Sequence, residues 1–455
     1  MPKNLTHGSV LRTIIVFSLP YLLSYFLQTL YGMADLFIAG QFNGAEVISA
    51  VAIGSQLMHM LTVILVGLAM GTTVMIGRAV GAHDDKKAAK AIGNSVALFV
   101  AVALVATVVL VACSSLLVRL MATPAEAVAQ TRLYITICFI GIPFITAYNV
   151  FAAIYRGLGD AKSPLYFVAI ACVVNIVLDY VFIGVCKLQA GGAALATVLS
   201  QAFSATISFA SWKRSRSSLR LQATDFRPEK PMLASLLKIG VPISCQDGFI
   251  QISFLLITII ANRRGVAVAA AVGIVEKIIS FLFLVPSSML SSISAIAAQN
   301  MGAGEHRRAQ QTLLYGAGLA TAIGGLFALL FQYVSQSTVA LFVKDAAVVT
   351  LGTQYLKSYV FDCVFAAVHF SFSGFFCAYG YSIVSFIHNV ASIILIRVPG
   401  AWFASLYYPE TLYPMGWAAP LGSLLSSVIC VAAYCGLRRR GKLGTTEKRS
   451  LASAP

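Results

Sequence analysis

Twelve apolar runs, each about 20 or more residues long and closed by polar residues, glycine or proline, suit this chain to a lipid bilayer. They lie at roughly 13–40, 46–74, 89–118, 127–156, 163–186, 190–212, 234–261, 266–298, 308–336, 347–378, 381–407 and 413–437. Of the 455 residues, 59% are hydrophobic and only 11% charged. A soluble domain is nearer to about half apolar and about a quarter charged. The fold class expected is therefore an all-α membrane protein with twelve transmembrane helices. The polar N-terminus, "MPKNLTHGSVLRT", leads into a run too long for the core of a signal peptide, so the first helix is expected to stay.

An even number of helices places both termini on one side, and the basic residues choose which. Of the 32 Lys and Arg residues, 23 fall on the side shared by the termini and 7 on the other, with Lys277 and Arg397 inside spans. Both termini are thus expected in the cytoplasm. The net charge of +16 reads as topology and attraction to anionic lipid, not as a nucleic-acid footprint. Nine scattered cysteines without CxxC or metal-ligand spacing read as small apolar fillers.

The chain looks duplicated. The polar stretch "WKRSRSSLRLQATDFRPEKP" splits the helices six and six. Pro20 in "SLPYLL" answers Pro242 in "GVPISC", "AVAIG" (50–54) answers "AAAVG" (269–273), and "GRAVGAHDDKKA" (77–88) answers "AQNMGAGEHRRA" (298–309). "GAALATVLSQ" (192–201) answers "GWAAPLGSLL" (416–425). The expected division is an N-terminal lobe 1–212, a cytoplasmic linker 213–232, a C-terminal lobe 233–437 and a polar, disordered tail 438–455. Two six-helix repeats insert the same way up, giving lobes related by a pseudo-two-fold axis along the membrane normal, with a substrate path between them. Two unequal lobes suit alternating access better than a channel.

A carboxylate inside a membrane helix costs several kcal/mol and marks function by default. Asp35 in "YGMADLFIAG" lies about five residues from the outer end of its helix, and Asp179 about seven from the outer end of the fifth. Asn175 precedes Asp179 by four residues, on the same face, and Thr197 sits about seven residues into the sixth helix. At ~1.5 Å per residue, all four share one slab of about 10 Å in the outer half. Two carboxylates, an amide oxygen and a hydroxyl at one depth suit a hard cation or a shared proton. The other reading is a hydrogen-bond network bracing the lobe, and a threonine often back-bonds to its own helix. Pro20 removes a helix hydrogen bond and invites a kink, which is read either as static, as is common in membrane helices, or as a hinge.

The second half has its own polar residues inside spans: Gln246, Asp247, Gln251, Glu276 with Lys277, Asp362 and Arg397. Arg397 and Asp362 are a plausible pair; Glu276 and its neighbour Lys277 point about 100° apart. Packing neutrality is one reading. The other is that Asp247, Glu276 or Asp362 faces a cavity and receives a cationic substrate, with Gln246 and Gln251 beside it. The aromatic-dense "FDCVFAAVHFSFSGFFCAYGY" (361–381) offers Phe365, Phe372 and Tyr379 to line a pocket for flat cations, though packing is the commoner use. His369 and His388 read as interior residues. No phosphate loop GxxxxGK[ST], HExxH or nucleophile elbow exists in the chain, and the longest soluble segment is too short to house an active site. It is not expected to be an enzyme or to need a cofactor.

Pro20, the "YGMADLFIAGQFNG" run, "GRAVGA", "RGLGDAKSP" (156–164), "GGAALAT" and "QNMGA", in order along nearly the whole chain, together resemble the MATE family (multidrug and toxic compound extrusion). The nearest branch is the DNA-damage-inducible (DinF-like) one. The sodium-coupled norfloxacin exporters carry a Glu in helix 7, absent here, and an Asp in helix 10 about one turn from Asp362. The resemblance implies that Asp35, Asn175, Asp179 and Thr197, with the carbonyl of Ala193, form an N-lobe cation site, and that helix 1 bends at Pro20. It further implies an antiporter that exports organic cationic or amphipathic compounds against protons or sodium ions, with no other metal. The setting expected is a bacterial inner membrane, and the working unit a monomer. The alternatives are a flippase for a lipid-linked saccharide, disfavoured by the scarcity of cationic residues in the spans, and a channel.

Overall fold

The computed structural model describes residues 4–121, 123–214, 219 and 221–444, whose regular structure is all helical with no strand among them. Twelve spans follow in order. They are α1 (Val10–Phe42), α2 (Ala45–Gly81), α3 (Asp85–Ala112, continued by Ser114–Leu120), and α4 (Ala125–Ile140 and Ile142–Gly157). Next come α5 (Lys162–Val185), α6 (Gln189–Arg214), α7 (Lys230–Asn262) and α8 (Val266–Gly302). The chain ends with α9 (His306–Ala340), α10 (Asp362–Tyr379, preceded by Ala346–Tyr359), α11 (Ser382–Tyr407) and α12 (Tyr413–Arg439). Eleven are long and apolar enough to cross a membrane singly, and the halves of α4, bent by 50°, complete the twelfth.

The breaks have local causes. Pro143, near the start of the second half of α4, cannot donate to the turn before it. Pro286 sits in the same way just after the interruption of α8 at Phe283. Helix α12 runs as far as Arg439, beyond the start of the tail expected from the sequence; residues 445–455 of that tail and 215–218 and 220 of the linker lie outside the described residues.

Contacts divide the chain into two compact units. Of the described residues, the first comprises Asn4 and those from 19 to 240, the second those from 5 to 18 and from 241 to 444. The boundaries therefore fall inside α1 and α7, beside Pro20 and Pro242, and not in the polar linker. In the first unit Ile38, Ala39, Val51, Tyr134, Ile135, Phe139, Ile183 and Ala194 pack a core around the C-terminal part of α1. In the second, Ile257, Val272, Val275, Tyr355, Leu356, Tyr359 and Met415 do the same for α7, α8 and α12. Val105 and Val108 of α3, 63% and 70% exposed, form an apolar outer surface of the kind lipid covers.

Candidate cation site in the first unit

Helix α1 carries Asp35 into the core of the first unit, where it is 2% exposed. Helix α5 brings Asn175 and Asp179 on one face, at 1% and 0%. Thr197 of α6, 9% exposed, donates from Oγ1 to Oδ2 of Asp35 at 3.2 Å. The Asp179 carboxylate and the Asn175 amide stand against Asp35. Yet Oδ1 of Asp35, both carboxylate oxygens of Asp179 and both amide atoms of Asn175 lack a hydrogen-bond partner.

Two features of the chain build this cluster. Directly after Asp179 the helix widens into a π-helical stretch, Tyr180–Val185, closed by a bond from the Cys186 amide to the Val181 carbonyl at 2.8 Å. Such widened turns often coincide with functional sites. The small residues opening α6 let it approach closely; a Cβ on Gly192 would come within 3.1 Å of the Phe182 backbone. Ala193, fully buried, lies one turn before Thr197.

The cluster is larger than the sequence reading foresaw. One turn before Asp35 on α1 and one turn after Thr197 on α6, Gln201 donates to the Tyr31 hydroxyl at 3.5 Å. Positions i−4 from Asp35 and i+4 from Thr197 would have named both. Arg156, which opens "RGLGDAKSP", is 8% exposed and lies over the Tyr21 ring at 4.3 Å. Its place at the end of α4 gave no signal of that contact.

Chemically, two adjoining carboxylates out of water repel when both are ionised, and a buried polar atom without a partner is costly. One proton shared between them, or one desolvated monovalent cation among the oxygens of Asp35, Asp179, Asn175 and Thr197, removes both penalties. No group of three or more His, Cys, Asp or Glu side chains among the described residues has the geometry of a multivalent metal site.

Among the described residues of the second unit, the buried carboxylates stand beside other partners. Asp362, fully buried, faces Nη2 of Arg397 at 3.8 Å, an ion pair without a hydrogen bond. The same Nη2 donates to the Tyr359 hydroxyl at 2.8 Å, and the guanidinium lies 5.0 Å from the Phe254 ring. Glu276 accepts from Thr258 at 3.3 Å, and its neighbour Lys277 is exposed. Gln246 is buried with neither amide atom paired; Asp247, Gln251 and Phe365 are half-buried.

Phe372 and Tyr379 are packed inside the unit. Phe372 lies edge-on to Tyr434 and Tyr379 against Phe375, and the Tyr379 hydroxyl meets His306 Nδ1 at 3.0 Å. His369 and His388 are interior, with ring centroids 5.4 Å apart. His388 Nε2 meets Ser373 Oγ at 3.0 Å. A small cavity lined by His369, Asn389, Ser392, Arg397 and Ser423 separates the polar groups of α10, α11 and α12.

Comparison with known proteins gives a consistent result. The family model MatE matches residues 20–181 and again 242–403. A protein of Bacillus subtilis named probable multidrug resistance protein YpnP is 28% identical over 396 residues, 87% of this chain and 88% of its own length. The multidrug export protein MepA of Staphylococcus aureus (strain bovine RF122) is 22% identical over 449 residues, 96% of each chain. Among solved structures, an outward-facing multidrug resistance MATE family transporter of the MOP superfamily superposes with a TM-score of 0.89 at 22% identity, covering 96% of this chain and 98% of that one. At that identity the superposition speaks for the fold alone.

Proposed function

The chain belongs to the MatE family, and from that premise we propose that it is an ion-coupled antiporter that exports small organic, cationic or amphipathic compounds. Support for export comes from relatives named as multidrug resistance and export proteins. Support for ion coupling comes from one observation above all: two adjoining, buried carboxylates, Asp35 and Asp179, with orphaned oxygens and a single hydroxyl donor between α6 and α1.

In this reading a proton or sodium ion enters from outside and settles between Asp35 and Asp179, with Asn175, Thr197 and the Ala193 carbonyl completing the shell. Neutralising the pair stabilises the state open to the cytoplasm, where the ion leaves and the exported compound binds. Exchange in opposite directions requires that the two ligands favour different states or compete. No cofactor and no nucleotide enters the cycle. The excess of Lys and Arg on the side of both termini supports cytoplasmic termini in a bacterial inner membrane, and a single chain carries every part of the cycle.

The test is ethidium accumulation in inverted membrane vesicles under separately imposed proton and sodium gradients. Accumulation driven by one gradient and abolished by its collapse is expected. Accumulation unaffected by either gradient would sink the coupling.

A further inference from the structure

The chain before α1 is fastened to the second unit. The Leu5 amide donates to Oε1 of Gln299 at 3.1 Å, and Asn300 Nδ2 reaches back to the Leu5 carbonyl at 3.4 Å. From the first turn of α9, Arg308 donates to two successive carbonyls, His7 at 2.9 Å and Gly8 at 2.6 Å. Gly8 turns the chain with φ of +82°, a conformation that disfavours residues with a side chain. Beyond it Val10, Ile14 and Phe17, spaced i, i+4, i+7, are buried at 8%, 0% and 4%. Residues 5–18 count with the second unit, and the same helix joins the first unit from Leu19, one residue before Pro20.

A parallel arrangement holds the start of α7 in the first unit. Asn94, fully buried on α3, accepts from the Glu229 amide at 2.7 Å and donates to the Asp225 carbonyl at 3.2 Å. Lys90 pairs with Glu229 at 2.8 Å, and α7 changes unit at Val241, one residue before Pro242.

We propose that residues 5–8 form a latch. It clamps the first turns of α1 to the corner made by Gln299, Asn300 and Arg308, so that α1 flexes at Pro20 and only its Asp35-bearing part changes with ion binding. The inference deepens the antiport reading and rests on it for its transport consequence. The holding itself follows from the contacts. An unclamped start would let the helix end follow Asp35 and dissipate the change; a clamped one turns ion binding into strain at the proline.

Two variants attack the latch from opposite sides: Arg308→Ala, and a chain lacking residues 1–8. Hydrogen–deuterium exchange on the purified wild type and on each variant reads the holding, and ethidium uptake into inverted vesicles reads the coupling. In both variants the amides of residues 9–18 should exchange about tenfold faster, with residues 19–42 unchanged. Uptake should fall about fivefold, the low end of typical coupling between sites, with ethidium affinity in detergent retained. Asn94→Ala, which loosens the start of α7, should leave residues 9–18 as in wild type.

Exchange unchanged in both variants would overturn the latch. So would faster exchange with wild-type uptake, since the clamp would then be passive. A wild type that moves no ethidium under either gradient counts against the antiport reading, and the exchange comparison still decides whether the latch holds.

Discussion

Thr197 makes one hydrogen bond to Asp35, at 3.2 Å, and its value depends on the charge it stabilises. Thr197→Val keeps the shape of the side chain and removes the donor. A hydrogen bond to a charged group contributes roughly 1.5–3 kcal/mol, and its loss favours the neutral carboxyl. With protons as the coupling ion, about tenfold less should be needed for half-maximal ethidium uptake; with sodium, which loses the hydroxyl oxygen as a ligand, about tenfold more should be needed, with unfolding in detergent little changed in either case. An unaltered ion dependence would place Thr197 outside the site. In the second unit the residue-scale prediction concerns stability. Arg397→Met leaves the buried carboxylate of Asp362 without its cation, a loss of roughly 3–5 kcal/mol. The unfolding midpoint should drop clearly, and Asp362→Asn in the same chain should restore most of it. A single variant as stable as wild type would show that the 3.8 Å pair is not what holds α10 to α11.

Helix α1 is continuous from Val10 to Phe42 with Pro20 inside, so one helix bond, to the Val16 carbonyl, is missing where the chain changes unit. Ser24 back-bonds to the Pro20 carbonyl at 2.7 Å, loosening the next turn further. Pro20→Ala restores the missing donor. The stiffer helix should pass ethidium about threefold more slowly, a cost of under ~1 kcal/mol in the barrier, with dye affinity retained. Uptake at the wild-type rate would make the proline a static kink. The helices themselves were legible in the sequence because the length of an apolar run is a property of the run alone. Asp35, Asn175, Asp179 and Thr197 were legible too, since counting residues from helix ends gives depth. What escaped depends on neighbours. The widened turn after Asp179 lies beside the opening of α6, where a Cβ on Gly192 would meet the Phe182 backbone. The burial of Arg156 depends on Tyr21 of another helix. Tyr31 and Gln201 could have been found by extending the Asp35–Thr197 pairing one turn each way.

At the scale of the molecule, the repeats predicted two lobes divided at the polar linker, whereas the contact units exchange the starts of α1 and α7. Sequence similarity between halves cannot reveal this, because contacts of a helix end depend on what the preceding segment docks against. The helix that bears Asp35 is one whose first residues, 5–18, count with the second unit, and the proposed latch proceeds from that. The most direct test compares wild type with Asp35→Asn in inverted vesicles under imposed proton and sodium gradients, following ethidium. The account expects gradient-driven uptake to fall by at least about tenfold, the loss of ~1.4 kcal/mol or more of ion-dependent bias, with expression and dye binding retained. Uptake by Asp35→Asn equal to wild type under the effective gradient would contradict it and leave the carboxylates of the first unit as structural groups.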